Sequence, residues 1–318
     1  EGLHNQFSFE GELDENVNIL VGNNGSFKST LLYILYYMLQ SKKIHGVYNI
    51  KHASIHFNEN EDFIVYRSFE GTIADIQEKA KNEPTIAEAV EKIQKKFSMD
   101  DIQDIIIGME QYGYSHNGEG STEEVFKKLI KTDFISTFDI KSKAEDDKHT
   151  LLDNILDKLQ SEYSYYLSDL AKQMTDIINK EGSISKEELN RINCQKDLMI
   201  RFVNESFSKT GKALVPDQGK LTFRFDNGHT INSYALSAGE KQLLIILLTV
   251  LLENNQDYIV FLDEPEISLY IDWQYKLIEM LTFLNPNAQF ILTTHSPGIF
   301  ADGWGDNIIY MDKITNNI

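Results

Sequence analysis

The sequence predicts an α/β fold with a phosphate-binding site at one edge of a parallel sheet, and three stretches predict it. Near the start, the apolar run Val17–Val21 leads into Gly22-Asn23-Asn24-Gly25-Ser26-Phe27-Lys28-Ser29-Thr30. A helical pattern through Leu31, Leu32, Ile34, Leu35 and Met38 follows. Further on, the buried-strand run Tyr258–Leu262 ends in Asp263-Glu264-Pro265, and another strand, Gln289–Thr293, ends in Thr294-His295-Ser296-Pro297. Strand, glycine-rich loop and helix, in that order, are the context a phosphate-binding loop needs. Carboxylates at the C-terminal end of a buried strand lie where open α/β sheets bind ligands.

The bulk properties suit such a fold. The 318 residues suffice for a sizeable core and one or two domains, with 42% apolar and 25% charged residues. No apolar run reaches the ~18–20 residues needed to span a bilayer. Glu1-Gly2-Leu3-His4 shows no export signal, so a cytoplasmic protein is expected, with a few residues before Glu1. A single cysteine, Cys194, allows no internal disulfide and fits a reducing compartment. The net charge of −19 argues against a broad grip on nucleic acid, which needs many Lys and Arg on phosphates, although a local patch remains open.

Taken in order, Phe7, Phe9, Gly11 and Leu13 alternate as a half-buried strand does. After the glycine-rich loop and its helix, Ala53–Phe57 and Phe63–Tyr66 read as a strand pair joined by a polar turn. His52 and His56 share a strand face and, without a third ligand nearby, read as surface histidines. Residues 72–131 read as charged helix broken at Pro84 and at the loop Ser115–Gly120. Asp133–Asp139 reads as a short strand, and Lys141–Lys148 as a polar, mobile segment.

A long helix is expected over about 151–179, with Leu152, Ile155, Leu159, Tyr166, Leu170, Met174 and Ile177 on one stripe, roughly 40 Å long at 1.5 Å per residue. Gly182 ends it, and Ser185 with Glu188 forms a capping box for a second helix to about Ser208. Together they suggest an antiparallel arm or lobe. Leu221–Phe225, Asp226-Asn227-Gly228 and Thr230–Tyr234 make a hairpin. The division expected is a head built from residues 1–70 and 216–318, with 71–215 inserted as a helical lobe or arm.

The chemistry follows from the motifs. Asn23, Asn24, Gly25, Ser26, Phe27, Lys28, Ser29 and Thr30 form the phosphate loop: backbone N–H groups and the helix N-terminus favour an anion, Lys28 reaches the β- and γ-phosphates, and Ser29 holds Mg²⁺. Phe27 stands where glycine usually precedes the lysine. It is either a tolerated variant or the mark of a loop that binds nucleotide weakly or differently. Asp263 is a second Mg²⁺ ligand, and Glu264 the general base that polarises the attacking water.

Leu236-Ser237-Ala238-Gly239-Glu240-Lys241-Gln242, followed by the apolar run Leu243–Leu252, resembles the ABC signature motif. Alone it reads better as a helix N-cap. With the other motifs, the chain resembles the ABC-type P-loop ATPases of the OLD, RecF and chromosome-maintenance group. Phe134–Asp139, Asp263-Glu264-Pro265-Glu266-Ile267-Ser268-Leu269 and Thr294-His295-Ser296-Pro297 extend the resemblance to stand-alone OLD-like ATPases of bacterial antiphage systems, such as Septu and retron-associated ATPases. It covers both chain ends well and residues 70–215 only in outline.

The resemblance implies an ATPase head with an antiparallel subsheet over the nucleotide base, which the 53–66 pair matches. It implies that Ser237, Gly239 and Glu240 serve a partner's nucleotide in a head-to-tail homodimer or higher oligomer, that Glu266–Leu269 forms the D-loop, and that His295 is a switch histidine on the γ-phosphate. The Q-loop glutamine is not placed; Gln77 and Gln111 are the candidates. Tyr270 stands where this group often has histidine. Only a short strand-like tail, Asn307–Met311, follows His295, so cutting is expected of a separate effector, a nuclease, with nucleic acid met through that partner. The expected function is ATP hydrolysis controlling that effector in antiphage defence, away from membranes. The alternatives are a low-turnover nucleotide-bound scaffold or sensor, favoured by Phe27, and a DNA-repair or recombination ATPase, disfavoured by the acidic balance and the short arm.

Overall fold

Buried strands with apolar residues on both faces make a central parallel sheet, and a computed structural model shows it. The structure describes residues 7–40, 52–57, 63–68, 111–116, 119–121, 130–136, 150–215 and 220–317. In chain order, strands β1 (Phe7–Phe9) and β2 (Val17–Val21) precede helix α1 (Lys28–Leu39), then β3 (His52–Phe57), β4 (Phe63–Ser68), β5 (Gln111–His116), β6 (Glu119–Ser121) and β7 (Lys131–Ser136). Helices α2 (Leu151–Glu181) and α3 (Lys186–Phe207) lead to β8 (Lys212–Leu214), β9 (Thr222–Phe225) and β10 (Thr230–Asn232). The rest is α4 (Ala238–Leu252), β11 (Tyr258–Asp263), α5 (Ile271–Leu284), β12 (Gln289–Thr294), α6 (Pro297–Phe300), β13 (Ile308–Tyr310), α7 (Met311–Ile314) and β14 (Thr315–Asn317).

The chain divides into two compact units, residues 1–32 with 133–318, and residues 33–132. In the first, a five-stranded sheet runs in the order β13-β2-β12-β11-β7. Strands β13, β2, β12 and β11 are parallel, with Asp263 paired to Thr293 and Thr294 to Val21. The register therefore brings the ends of β2, β11 and β12 to one level. Every second residue faces one side: Val17, Ile19, Val260, Leu262, Phe290 and Leu292 join the helical core, while Leu20, Phe261 and Ile291 are equally buried on the other face.

Helix α4 is the hub of that core. Residues 243–248, with Val250 and Leu251, are all buried, as expected of a helix apolar on every side. The base of α2 packs on it through Leu156, Leu159, Tyr163, Tyr166 and Leu170, and α3 through Met199, Phe202, Val203 and Phe207. A buried ion pair, Lys241 Nζ to Asp153 Oδ1 at 2.6 Å, ties α4 to α2. These helices thus share the core of the head unit, whereas the sequence division at residue 216 placed them in the insertion. No residue from 171 to 198 is buried, so the far turns of α2 and the first turns of α3 add nothing to the core, while the bases of both helices belong to it. Capping boxes start both helices, at Thr150 with Asp153 and at Ser185 with Glu188, and Gly182 closes α2 in the left-handed conformation.

The expected hairpin at 221–234 is β9–β10, and a third strand, β8, joins it on the other side of β9. Alternation in the sequence extends to Leu13, but the β1 ladder stops at Phe9, which pairs with Thr315 at the start of β14, and Leu13 is exposed. The tail strand is β13, paired in parallel with β2.

In the second unit, β3, β4, β5 and β6 form an antiparallel sheet in that order. The β3–β4 pair matches expectation. Gln111–His116 and Glu119–Ser121 are strands where the sequence reading had helix and loop; the period-two placing of Tyr112 and Tyr114 was the missed signal. The expected helical residues 72–110, the 141–148 segment, Gln77, and the side chains of Gln111, His52 and His56 lie outside the described residues. No helix among the described residues is long and apolar enough to cross a membrane, and Cys194 is an exposed thiol on α3.

Candidate nucleotide site

The aligned ends of β2, β11 and β12 gather the motifs read from the sequence. Between β2 and α1, the loop 22–27 folds back on itself, with Ser26 N–H donating to Asn23 O at 3.1 Å. Phe27 adopts φ 64°, the left-handed region in which most side chains cost about 1–2 kcal/mol. That is the physical reason glycine usually stands there. The Phe27 side chain is exposed, and its carbonyl still accepts from Leu31 N–H at 2.9 Å to begin α1. The residue thus accepts the glycine conformation at an energetic cost.

Lys28 lies buried under the loop, its ammonium donating to Gly22 O at 3.0 Å and Asn23 O at 3.4 Å. It also contacts His295 Nε2 at 2.8 Å. An ammonium can only donate, so in this contact Nε2 accepts. Burial lowers the Lys28 pKa, against the opposing charges of Glu264, Asp263 and Glu266.

Ser29 Oγ donates to Asp263 Oδ1 at 2.8 Å, and Thr293 Oγ1 donates to the same oxygen at 2.6 Å. A hydroxyl and a carboxylate in contact are hard oxygen donors suited to Mg²⁺, which commonly takes one or two protein ligands and fills its octahedron with water and phosphate oxygens. No group of three or more His, Cys, Asp or Glu suited to a metal occurs among the described residues.

Glu264 follows β11 with φ 47°, a left-handed conformation that costs about 1–3 kcal/mol. Two bonds from its N–H hold it there, to Thr293 O at 3.2 Å and Thr293 Oγ1 at 3.0 Å. Its Oε1 lies 3.6 Å from His295 Nε2. Burial raises the Glu264 pKa; His295 works against this, and the charges of Glu266 and Asp263 add to it. A base whose pKa is raised towards neutrality takes up a proton more readily.

The signature stretch sits at the N-terminus of α4. Ser237 caps the helix, and Glu240 returns the bond to Ser237 N–H at 2.9 Å. Glu240 was expected among the nucleotide contacts, but it is 2% exposed, and its carboxylate is taken up by Lys212, Thr210 and Ser237. Its work is to hold Ser237 in place. Gly239 is needed for space: a Cβ there would lie 2.2 Å from Ser268 O. The D-loop backbone therefore rests against the signature motif of the same chain.

Lys28, Ser29, Asp263, Glu264 and His295 are thus brought together. Asn23, Asn24 and Gly25 are exposed at the loop, Ser26 and Thr30 are half-buried there, and at the start of α4 Ser237 is exposed and Gly239 half-buried. The sequence reading missed Thr293, which supports both acids, and gave Glu266 only a place in the D-loop. A pair of threonines ending an otherwise apolar strand was the available signal. Tyr270 is half exposed, beneath Lys209 Nζ at 5.0 Å from its ring centre.

The family model for the AAA ATPase domain matches residues 6–300. The chain belongs to this ATPase family. The ATPase is 25% identical over 370 aligned positions to the retron Vc95 probable ATPase of Vibrio cholerae serotype O1 biovar El Tor, covering 96% of this chain and 70% of that protein. It is 26% identical over 196 positions to the retron Ec83 probable ATPase of Escherichia coli, covering 55% of this chain and 35% of that one. It is thus an ABC-type ATPase close to retron-associated ATPases. Among solved structures, an Smc head bound to the C-winged helix domain of ScpA aligns at TM-score 0.48 and 16% identity, covering 96% of this chain and 90% of that one. The SMC head domain from Thermotoga maritima aligns at TM-score 0.47 and 14% identity, covering 93% and 90%.

Proposed function

We infer that this ATPase hydrolyses ATP between the heads of a head-to-tail homodimer and that its cycle controls a separate effector, a nuclease, in bacterial antiphage defence. The observation that carries the chemistry is the meeting of Lys28, Ser29, Asp263, Glu264 and His295 at the ends of three neighbouring strands. The kinship with retron ATPases supports the setting.

In this reading Lys28 leaves the carbonyls of Gly22 and Asn23 for the β- and γ-phosphates. Ser29 and Asp263 hold Mg²⁺, which when bound neutralises phosphate charge. Glu264 takes the proton of the attacking water as its oxygen bonds to the γ-phosphorus and the bond to the β–γ bridging oxygen breaks, giving ADP and phosphate. His295, freed from Lys28, contacts the γ-phosphate. Ser237 and Gly239 present a hydroxyl and a helix N-terminus to the nucleotide of the second head. A slow cycle, with the protein acting mainly as a nucleotide-bound scaffold, is the second reading, and the φ of 64° at Phe27 favours it.

The test uses cells carrying the gene with its native flanking genes. The wild type should lower phage plating, and both Lys28→Ala and Glu264→Gln should abolish that protection. The purified protein alone should leave DNA intact with Mg²⁺ or Mn²⁺. Degradation of DNA by the pure chain, or protection that survives both substitutions, would overturn the proposal.

A further inference from the structure

Glu266 lies two residues beyond the catalytic candidate Glu264, in the D-loop, and it is 8% exposed. A single oxygen, Oε1, accepts three bonds: from Thr294 Oγ1 at 2.7 Å, His295 N–H at 2.8 Å and Ser296 N–H at 3.2 Å. The turn that carries His295 is thereby fastened from below. A second side chain completes the fastening. Gln274 on α5 donates to Leu269 O at 2.9 Å and to Glu266 O at 3.4 Å, while its Oε1 accepts from Ser296 Oγ at 2.6 Å.

Two features separate this from ordinary loop packing. The other oxygen, Oε2, is buried and makes no hydrogen bond, so the site keeps a charged group for the sake of one acceptor corner. The carboxylate also stands close enough to Lys28 and Glu264 to act on both electrostatically, where negative charge opposes a polyphosphate. A carboxylate retained in so costly a place is explained by a task that a neutral residue does less well. One oxygen taking three donors, two of them backbone N–H groups, is such a task, because an ionised acceptor makes each bond stronger. The same loop meets Gly239 through Ser268 O, so the segment that carries Glu266 touches the signature stretch as well as the His295 turn.

We propose that Glu266 is a positioning residue: its carboxylate sets the backbone of His295, and so aims the ring, in register with the D-loop. The proposal rests on the reading of His295 as the γ-phosphate contact. ATP and ADP differ by that phosphate, so the preference for ATP reports the aim of the ring even without turnover.

The experiment measures Kd for Mg-ATP and Mg-ADP on the full chain, for wild type, His295→Ala, Glu266→Ala, Glu266→Gln and the double Glu266→Ala/His295→Ala variant, with kcat and KM alongside. His295→Ala should weaken ATP about tenfold and leave ADP within about twofold, the worth of one charge-assisted hydrogen bond. Glu266→Ala should do the same, the double variant should lose no more than either alone, and Glu266→Gln, which keeps an acceptor oxygen, should recover part of the loss. If His295→Ala changes the ATP preference and Glu266→Ala does not, or if the two effects add, the proposal is overturned while the reading of His295 stands. If His295→Ala leaves the preference unchanged, that reading fails, and the proposal with it. If Glu266→Ala fails to fold, Glu266→Gln decides: a reduced ATP preference with unchanged ADP affinity supports the proposal, and a wild-type preference overturns it.

Discussion

At Phe27 the backbone does what a glycine would do, while the side chain is among the least suited to it. The φ of 64° places a strain of about 1–2 kcal/mol in the phosphate loop. Replacing Phe27 with glycine removes that strain but frees the unfolded chain by about 1 kcal/mol, so Phe27→Gly should change stability by less than about 1 kcal/mol. Phe27→Val brings a β-branched side chain into the same region and should lose a further ~1–2 kcal/mol. Chemical denaturation of the two variants beside wild type checks this, and a valine variant as stable as wild type would show that the loop does not need the left-handed conformation. Glu264 and Ser268 are strained alike, at φ 47° and 68°. Asn254 and Asn255, in the turn after α4, are also left-handed, but asparagine tolerates that region; the three residue types that do not favour it lie in the phosphate loop or just after β11, in keeping with strain stored where a site needs a particular backbone path. The identities of Lys28, Asp263, Glu264 and His295 were legible because loop and strand motifs place them. The support from Thr293 and Glu266 was not, because it depends on which strand ends are neighbours.

Helices α4 and α5 end in a buried polar contact far from any motif. Glu253 caps the C-terminus of α4 and Asn285 that of α5, and Asn285 Nδ2 donates to Glu253 Oε2 at 2.8 Å. The other oxygen of Glu253 is buried and makes no hydrogen bond. Burial pushes the Glu253 pKa up to about 8; the bond from Asn285 works against this, and the charge of Asp133 adds to it. Burial likewise raises Asp133 to about 6. The folded pKa of Glu253 exceeds its ordinary 4.5, so the fold prefers the proton. Stability from this group is fully present below 4.5 and is lost progressively as pH rises to about 8. Glu253→Gln cannot ionise. Its stability relative to wild type should therefore climb from about pH 5 to about pH 8 and level off above that, as urea denaturation across this range will show. A constant difference would mean that Glu253 is ionised in the fold. Elements of this kind set the limits of sequence reading. The stripe of α2 was plain, and the capping box of Ser185 with Glu188 fixed the start of α3. The assignment of both helices to the head was not plain, because a stripe shows that a face is buried but not against what. The buried pair Lys241–Asp153 is the clearest case, since its partners are 88 residues apart in sequence.

Over the molecule as a whole, the α/β class, the parallel strands and the site at their ends could be read from three stretches near the chain termini, because strand, loop and helix signals there are local. The second unit was read poorly. Its strands β5 and β6 are short, polar and flanked by helix-prone charged sequence, so the period-two signal was weak. The central claim concerns the first unit: three strand ends assemble one hydrolytic site, with Glu264 as its base. Steady-state ATP hydrolysis with Mg²⁺, measured for wild type and Glu264→Gln with bound nucleotide assayed in both, tests it most directly. The account predicts turnover in the wild type and a loss of at least about 100-fold in the variant, with nucleotide retained. Equal turnover in both proteins would contradict it, as would a wild type that neither turns over nor binds nucleotide.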